Sequence, residues 1–315
     1  MTARIIMKLK VERACDESGG VRVLTLKHPI RDRLPEWTPG AHVDLRLPDG
    51  KIRQYSLCSD PDDTRRYRIA VKLEENGRGG SKWVHENLTE GSEAHVSSPR
   101  CNFPLRAHAT RHIFVAGGIG ITPFLAMASA ARKAGAPFEL KYCSRLAVPP
   151  FFEEMKAVCG DGVAFYRSSG AERRRFDPSA DLPEPVEGVH LYCCGPQGLI
   201  DAVRAATAHW PQDQVHYEVF QPTLDENFKP EPFDIAVAST GQTFRVPADK
   251  SALEVLREAG FILPSSCELG VCGSCECGYR GGTVIHRDSV LSVAARQDRM
   301  MLCVSRARVH VTLDL

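Results

Sequence analysis

Cys267-Glu268-Leu269-Gly270-Val271-Cys272-Gly273-Ser274-Cys275 is the stretch on which the reading of this 315-residue chain turns. Its C-x4-C-x2-C spacing, with Cys303 available downstream, is a ligand spacing for a [2Fe–2S] cluster. Four thiolates must surround two irons, so one tight loop supplies three of them and a separate element supplies the fourth. Gly270 and Gly273 let the backbone curl closely and turn N–H groups toward sulfur, which stabilises a cluster's negative charge. Zinc is the alternative, because four cysteines also bind it, but zinc sites favour two CxxC pairs. Cys277 competes with Cys303 for the fourth place and fits the spacing less well. The chain holds twelve cysteines; where thiols stay reduced, such clustering points to ligation rather than disulfides. The remaining seven (Cys15, Cys58, Cys101, Cys143, Cys159, Cys193, Cys194) show no ligand spacing and read as packing residues.

Working outward from that loop, a helix is expected from Ser251 to Ala259, with a Ser251/Glu254 capping box and Gly260 at its C-terminal end. Phe233–Val237 and Thr243–Val246 read as a hairpin. Pro222, Pro230 and Pro232 mark a linker between Gln221 and Pro232. Upstream of it strands alternate with helices. The runs Ile113–Ala116, Phe138–Cys143, Val163–Tyr166 and Val189–Cys193 are interleaved with helical stretches at Phe124–Lys133, Phe151–Val158 and Leu199–Ala208. That order predicts a parallel sheet covered on both faces. Residues before about 105 carry short alternating runs, Val21–Leu26 and Ala41–Leu47, broken by Pro39-Gly40 and Pro48-Asp49-Gly50, the pattern of a small antiparallel barrel.

Bulk properties exclude other classes. The formal net charge is +1, with 43% hydrophobic and 25% charged residues, so no global polarity points to nucleic acid or an anionic membrane. Arg173-Arg174-Arg175 reads as solvated surface. No run approaches the ~20 apolar residues of a membrane span, and the N-terminal residues lack the apolar core of a signal peptide. A cytoplasmic, monomeric protein is expected.

Two further sites are expected from motifs. In Arg53-Gln54-Tyr55-Ser56, a cation for a phosphate, a flat ring and a hydroxyl lie on one extended segment, the residue types that a flavin needs. Gly77-Arg78-Gly79-Gly80-Ser81, leading into a helix, makes an anion site of exposed N–H groups. Ala70-Val71-Lys72 precedes it on the strand entering that site; His85 reads as structural. Gly117-Gly118-Ile119-Gly120-Ile121-Thr122-Pro123 turns a strand into a helix, with glycines for close approach of a pyrophosphate, Thr122 as cap and Pro123 in the first turn. Cys194-Gly195-Pro196 ends a later strand of the same sheet, where an α/β crevice belongs.

These motifs together resemble the phthalate dioxygenase reductase family, within the ferredoxin-reductase superfamily, over nearly the whole chain. The resemblance implies a multidomain protein: an FMN-binding antiparallel β-barrel at 1–106, an NAD(P)-binding α/β domain at 107–224, a linker at 225–232, and a plant-type [2Fe–2S] ferredoxin domain of α+β, β-grasp type at 233–315. It implies that Cys267, Cys272, Cys275 and Cys303 hold the cluster. It also implies that R-x-Y-S and the glycine turn hold FMN rather than FAD, and that the Gly117–Pro123 loop and Cys194–Pro196 receive the nicotinamide cofactor. Phe220 is the candidate aromatic covering the flavin. Ser144 and Arg145, with Arg167, stand where a 2′-phosphate would be read, although the family is NADH-dependent and these arginines also suit surface or adenosine-stacking roles. Electrons would pass from NADH through FMN to the cluster and on to a separate terminal oxygenase of Rieske type, acting on an aromatic acid or a quaternary amine. A haem monooxygenase as partner and a redox-sensing module are the alternatives. No acid–base side chain is required for the electron transfer, and none is assigned.

Overall fold

A computed structural model describes residues 5–77, 79–169, 173–220 and 227–315. The chain forms two compact units, Met1–Glu218 and Val219–Leu315. The first two segments expected from the sequence therefore pack as one body.

The first unit opens with strands β1 (Ile6–Glu17), β2 (Val21–Lys27), β3 (Ala41–Arg46), β4 (Ile52–Ser56), β5 (Arg66–Lys72), β6 (Glu93–Ser97) and β7 (Arg100–Cys101), and helix α1 (Gly80–Asn87) between β5 and β6. Strand order is β4-β3-β6-β1-β2-β5, with β7 on β3; all pairings are antiparallel. The Cys58 N–H donates to the Arg68 carbonyl at 2.8 Å and draws the two ends of that order together. Alternation drives this fold: Tyr67, Ile69 and Val71 on β5 point inward with Leu24 and Leu26 of β2, all essentially fully buried.

The unit continues with β8 (Arg111–Gly117), β9 (Phe138–Ser144), β10 (Val163–Arg167), β11 (Val189–Cys194) and β12 (Val215–Glu218). Their order is β10-β9-β8-β11-β12, and every pairing is parallel. Ile113, Phe114, Val115 and Ala116 are all 0% exposed: a central parallel strand is covered on both faces, so its apolar run is continuous. Helices α2 (Thr122–Lys133), α3 (Phe152–Cys159), α4 (Pro178–Asp181) and α5 (Gln197–Ala206) connect the strands. Two expected helices are displaced by one or two residues: α3 begins after Phe151, and α5 spans 197–206 rather than 199–208. Thr122 is not a cap. A 3-10 turn over Gly118–Ile121 precedes α2, Thr122 is its first residue, and the Thr122 hydroxyl donates to the Ile119 carbonyl at 3.0 Å. The barrel and the sheet are joined by packing. Phe103 makes edge contacts with Phe124 and Tyr192, and a side chain at Gly40 would meet the Phe103 carbonyl and the Met127 methyl.

The second unit holds β13 (Phe233–Val237), β14 (Thr243–Val246), α6 (Ala252–Glu258), β15 (Glu276–Ile285), β16 (Arg299–Met301) and β17 (Arg306–Leu313). Its sheet runs β14-β13-β17-β15-β16. The central pair β13/β17 is parallel and the others are antiparallel, which with helix α6 makes a β-grasp. Helix α6 carries the expected capping box, and buries Ala252, Leu253 and Leu256.

Candidate functional site

The cysteine loop hangs between α6 and β15. Two features make it close on itself. Gly270 and Gly273 take positive φ, 72° and 74°. Glu268 does so as well, at 55°; its carboxylate accepts from Arg257 and from the Ser265 hydroxyl at 2.8 and 2.9 Å, an anchor for strained backbone that the sequence did not advertise. The Leu302 N–H donates to the Cys275 carbonyl at 3.1 Å and the Leu253 N–H to the Leu302 carbonyl at 3.0 Å, so helix α6 and the third cysteine together fix the approach of Cys303.

Cys267, Cys272, Cys275 and Cys303 are all buried. Their thiols associate two and two. Cys267 faces Cys272, and the hydrogen bond between them holds Cys272 below the ordinary thiol range and pushes Cys267 above it. Cys275 and Cys303 form the second such pair, with Cys275 held low. The Leu269 and Ser274 N–H groups donate to Cys267 and Cys272 sulfur at 3.3 and 3.4 Å. Among the described residues no three ligating side chains converge on one point as a single metal ion requires. Two neighbouring pairs are what two irons, each taking two cysteines, need, so the donor set fits a [2Fe–2S] group. Cys277 stands apart: its thiol donates to the Gly278 carbonyl at 3.3 Å, and burial pushes it up to about 11.

In the first unit, β4 delivers Arg53, Tyr55 and Ser56. Helix α1 starts after Gly79, whose φ is 81° and whose missing side chain faces open space. A β-carbon added at Gly80 would lie 2.7 Å from Arg53 Nε. The guanidinium therefore lies directly against the N-terminal turn of the helix, and both present positive charge to one place. The Ser81 hydroxyl accepts from the Glu74 N–H at 3.0 Å, and the Gly77 N–H donates to the Glu74 carbonyl at 3.1 Å, closing the glycine turn. Ala70 and Val71 are buried on β5, Lys72 pairs with Glu74 at 2.8 Å, and His85 hydrogen-bonds the Val71 carbonyl at 2.8 Å, a structural role as expected. Burial raises the Tyr55 hydroxyl to about 12, so its ring is a neutral flat surface.

The two motifs on the parallel sheet meet. Side chains at Gly117 or Gly195 would strike each other's turn, and one at Gly120 would lie 2.3 Å from the Cys194 carbonyl oxygen. At Gly117, Gly120 and Gly195 the missing side chain makes room for close contact between the ends of β8 and β11. Gly118, with φ 55°, is the one that faces open space. The strand order reverses between β8 and β11, which is where a crevice forms beyond the strand ends.

One residue was missed. Glu218, at the end of β12 and in register with Cys194, has its carboxyl buried, with Oε2 lacking a hydrogen-bond partner; so has the Ser56 hydroxyl that faces it. Burial pushes Glu218 up to about 8, against a lowering contact from Ser56. Burial, with Glu218 beside it, also drives the Cys194 thiol up. Ser56, Cys194 and Glu218 thus bring three uncharged polar groups from the barrel and the sheet to one point. The only sequence signal for Glu218 was a carboxylate at the end of a run otherwise fit for a buried strand. Cys194, read both as packing and as motif, is buried there.

Ser144 uses its hydroxyl to accept from the Leu146 N–H at 3.0 Å, and exposed Arg145 accepts at its carbonyl from the Ser169 hydroxyl at 2.5 Å. Arg174 is exposed, lying 4.7 Å from the Tyr166 ring centroid and 3.1 Å from Asp181. Arg78 and the first half of the expected linker lie outside the described residues. Phe220 follows β12 by two residues and falls in the second unit.

Comparison with known proteins agrees with this layout. Residues 235–308 match the family model of the 2Fe-2S iron-sulfur cluster binding domain, and residues 8–104 match that of the oxidoreductase FAD-binding domain. The chain is 40% identical over 311 residues to the phthalate 4,5-dioxygenase oxygenase reductase subunit of Pseudomonas putida, covering 98% of this chain and 96% of that one. It is 42% identical over 280 residues to the heme-dependent oxidative N-demethylase beta subunit of Ectopseudomonas mendocina, covering 88% of each. The solved structure of phthalate dioxygenase reductase, described as modular for electron transfer from pyridine nucleotides to [2Fe-2S], superposes with a TM-score of 0.78 at 39% identity, covering 98% of each chain.

Proposed function

This chain belongs to the phthalate dioxygenase reductase family, and from that premise we propose that it is the NADH-dependent reductase of a two-component oxygenase, holding FMN and a [2Fe–2S] cluster and passing electrons to a Rieske-type terminal component. The observation that carries the reading is the two-and-two association of the four buried cysteine thiols, on a chain whose other unit has a phosphate cradle and a nucleotide crevice.

When bound, the flavin takes two electrons together from the dihydronicotinamide and the cluster accepts them singly. The chain's own residues bind and orient. Arg53 and the N–H groups at Gly79, Gly80 and Ser81 would hold the terminal phosphate, with Gly77 and Lys72 beside them. Tyr55 would offer its ring to the flavin ring and Ser56 its hydroxyl to the polar edge, with Ala70 and Val71 walling the site. A mononucleotide suits this arrangement because the phosphate ends at a helix N-terminus reinforced by a guanidinium. Gly118, with Ile121, Thr122 and Pro123 behind it, admits the pyrophosphate of NADH, and Cys194, Gly195 and Pro196 receive the nicotinamide. Ser144 and Arg145 contact the adenosine end without selecting a 2′-phosphate. The protonated Glu218 and the Ser56 hydroxyl are neutral hydrogen-bonding groups, so they orient without placing a charge at the flavin edge.

A second reading keeps the reductase and changes the acceptor to a haem oxygenase; it is favoured by the likeness to a subunit of a haem-dependent demethylase. The protein is taken to act as a cytoplasmic monomer, which gel filtration checks. The primary test is a visible spectrum of anaerobically purified protein with the released flavin identified by chromatography. FMN together with iron–sulfur absorbance bleached by NADH is the expected result; a zinc protein without flavin overturns the reading. Coupled turnover with a Rieske or a haem oxygenase then separates the two acceptors.

A further inference from the structure

Behind the cysteine loop lies an arm, residues 286–296, which the ligand chemistry does not use. It touches the loop closely. The Ser289 N–H donates to the Gly270 carbonyl at 3.0 Å. A β-carbon at Gly270 would sit 3.1 Å from Asp288 Cα and 2.6 Å from the side chain of Val304, the residue after Cys303. One at Gly273 would lie 3.8 Å from Val290. The arm therefore abuts the two glycines that shape the three-cysteine loop.

Its centre is a buried charge. The Asp288 side chain is 0% exposed. Its Oδ2 accepts from the Val290 and Leu291 N–H groups at 3.3 and 2.9 Å and lies 3.5 Å from Arg296 Nη2. Arg296 also donates to the Asp288 carbonyl at 2.8 Å. His286 faces Asp288 Oδ1 across 3.6 Å through Nδ1 and bonds the Arg296 carbonyl at 3.1 Å, a carbonyl that also accepts from the Tyr279 hydroxyl at 2.8 Å. Asp288 Oδ1, His286 Nδ1, Ser289 Oγ and Arg296 Nε are nevertheless buried without a hydrogen bond. A carboxylate held this way is costly to fold around, and attraction to the half-exposed Arg296 guanidinium offsets only part of its desolvation. A brace for the loop needs only the turn bonds to Val290 and Leu291, which an uncharged acceptor supplies; the charge pair exceeds that need. A charge in a dry interior acts over distance far more strongly than at a surface, and Asp288 abuts the loop whose cysteines would hold the cluster, a group whose net charge would change on reduction.

We propose that buried Asp288, with its half-exposed partner Arg296, is a positioning device that holds the cysteine loop and sets how reducing electrons divide between cluster and flavin. The inference rests on the flavin–cluster reading above. Removing the carboxylate charge favours the more negative, reduced cluster; removing the guanidinium disfavours it.

The test uses the full chain with both cofactors. Half an equivalent of NADH is added anaerobically, which supplies one electron per protein and releases NAD+. The ratio of reduced cluster, by electron paramagnetic resonance, to reduced flavin, by absorbance, is then read for the parent, Asp288→Asn and Arg296→Gln. Asp288→Asn is expected to raise the ratio at least threefold and Arg296→Gln to lower it at least threefold, with iron content and NADH–ferricyanide activity retained. The combined variant is expected to return toward the parent ratio. Unchanged ratios, shifts of the same sign, or loss of iron from both variants overturn the inference, the last by leaving the pair a brace alone. A parent lacking flavin or cluster would instead sink the functional reading beneath it.

Discussion

Gly118 and Gly120 stand two residues apart in one turn and meet opposite surroundings. Gly120 has no space because the Cys194 carbonyl oxygen lies 2.3 Å from where its β-carbon would be, whereas Gly118 has nothing near it. Gly120→Ala must push β8 and β11 apart; overpacking of this kind costs about 1–3 kcal/mol. We expect a lower melting temperature of the first unit and a raised KM for NADH, with the iron signal unaffected. The cysteines divide similarly. Cys303→Ser is expected to abolish the iron–sulfur absorbance and leave flavin bound, while Cys277→Ser, whose thiol contacts only its neighbour's carbonyl among the hydrogen bonds seen, retains the iron. Glu218 yields a pH prediction. Folded, it keeps its proton to about pH 8; in an unfolded chain it loses it near the ordinary carboxyl value of 4.5. The folded state binds more protons between these values, so its contribution is complete at low pH and is lost as pH rises through 8. Glu218→Gln should flatten this decline in a urea-unfolding series across that range. An unchanged slope would mean that the carboxyl ionises freely.

At the scale of elements, the N-terminal ends of β8, β11 and β12 gather His112, His190 and His216. His190 and His216 share a 3.0 Å contact between ring nitrogens, and His216 stacks on Tyr192 with ring centroids 4.6 Å apart. These imidazoles lie at the end of the sheet opposite the crevice, so they belong to stability rather than to ligand binding. Burial, then the neighbouring His190 and Arg106, lowers His216 to about 4, and burial lowers His112 likewise. Their folded values lie below the unfolded 6.5, so this stability is present above that pH and is lost as pH falls toward 4. His216→Phe keeps a stacking ring and removes one titration. Its melting temperature should fall less than the parent's between pH 6.5 and 4, and an equal fall would assign the acid sensitivity elsewhere. The elements themselves were largely legible. The Ser251–Glu254 box and the strand run before Gly117 follow from local chemistry that tertiary packing does not override. Helix starts were less so: α2 begins at Thr122 because a 3-10 turn carries the chain off β8, and that turn exists only because the glycines abut β11.

For the whole molecule, the division after Glu218 has a consequence of its own. The barrel and the nucleotide sheet share core contacts through Phe103, Phe124 and Tyr192, so neither is expected to stand without the other. A fragment of residues 1–220 should fold, bind flavin and reduce ferricyanide with NADH, yet fail to pass electrons to an oxygenase. An insoluble fragment, or one that drives the oxygenase at the parent rate, would contradict the division of labour.

By itself the sequence determined which groups are present and in what local frame: the C-x4-C-x2-C loop, the glycine turns, the alternating and continuous apolar runs, and hence three kinds of layer in a stated order. Those signals are local because spacing, turn conformation and side-chain period depend on neighbours a few residues away. Only the tertiary structure decided that Glu218 joins Ser56 and Cys194, that Gly120 serves the sheet while Gly118 faces open space, and that Asp288 lies against Gly270. Each of these pairings closes a long stretch of chain, and burial, not sequence proximity, sets the protonation and charge of the groups that meet.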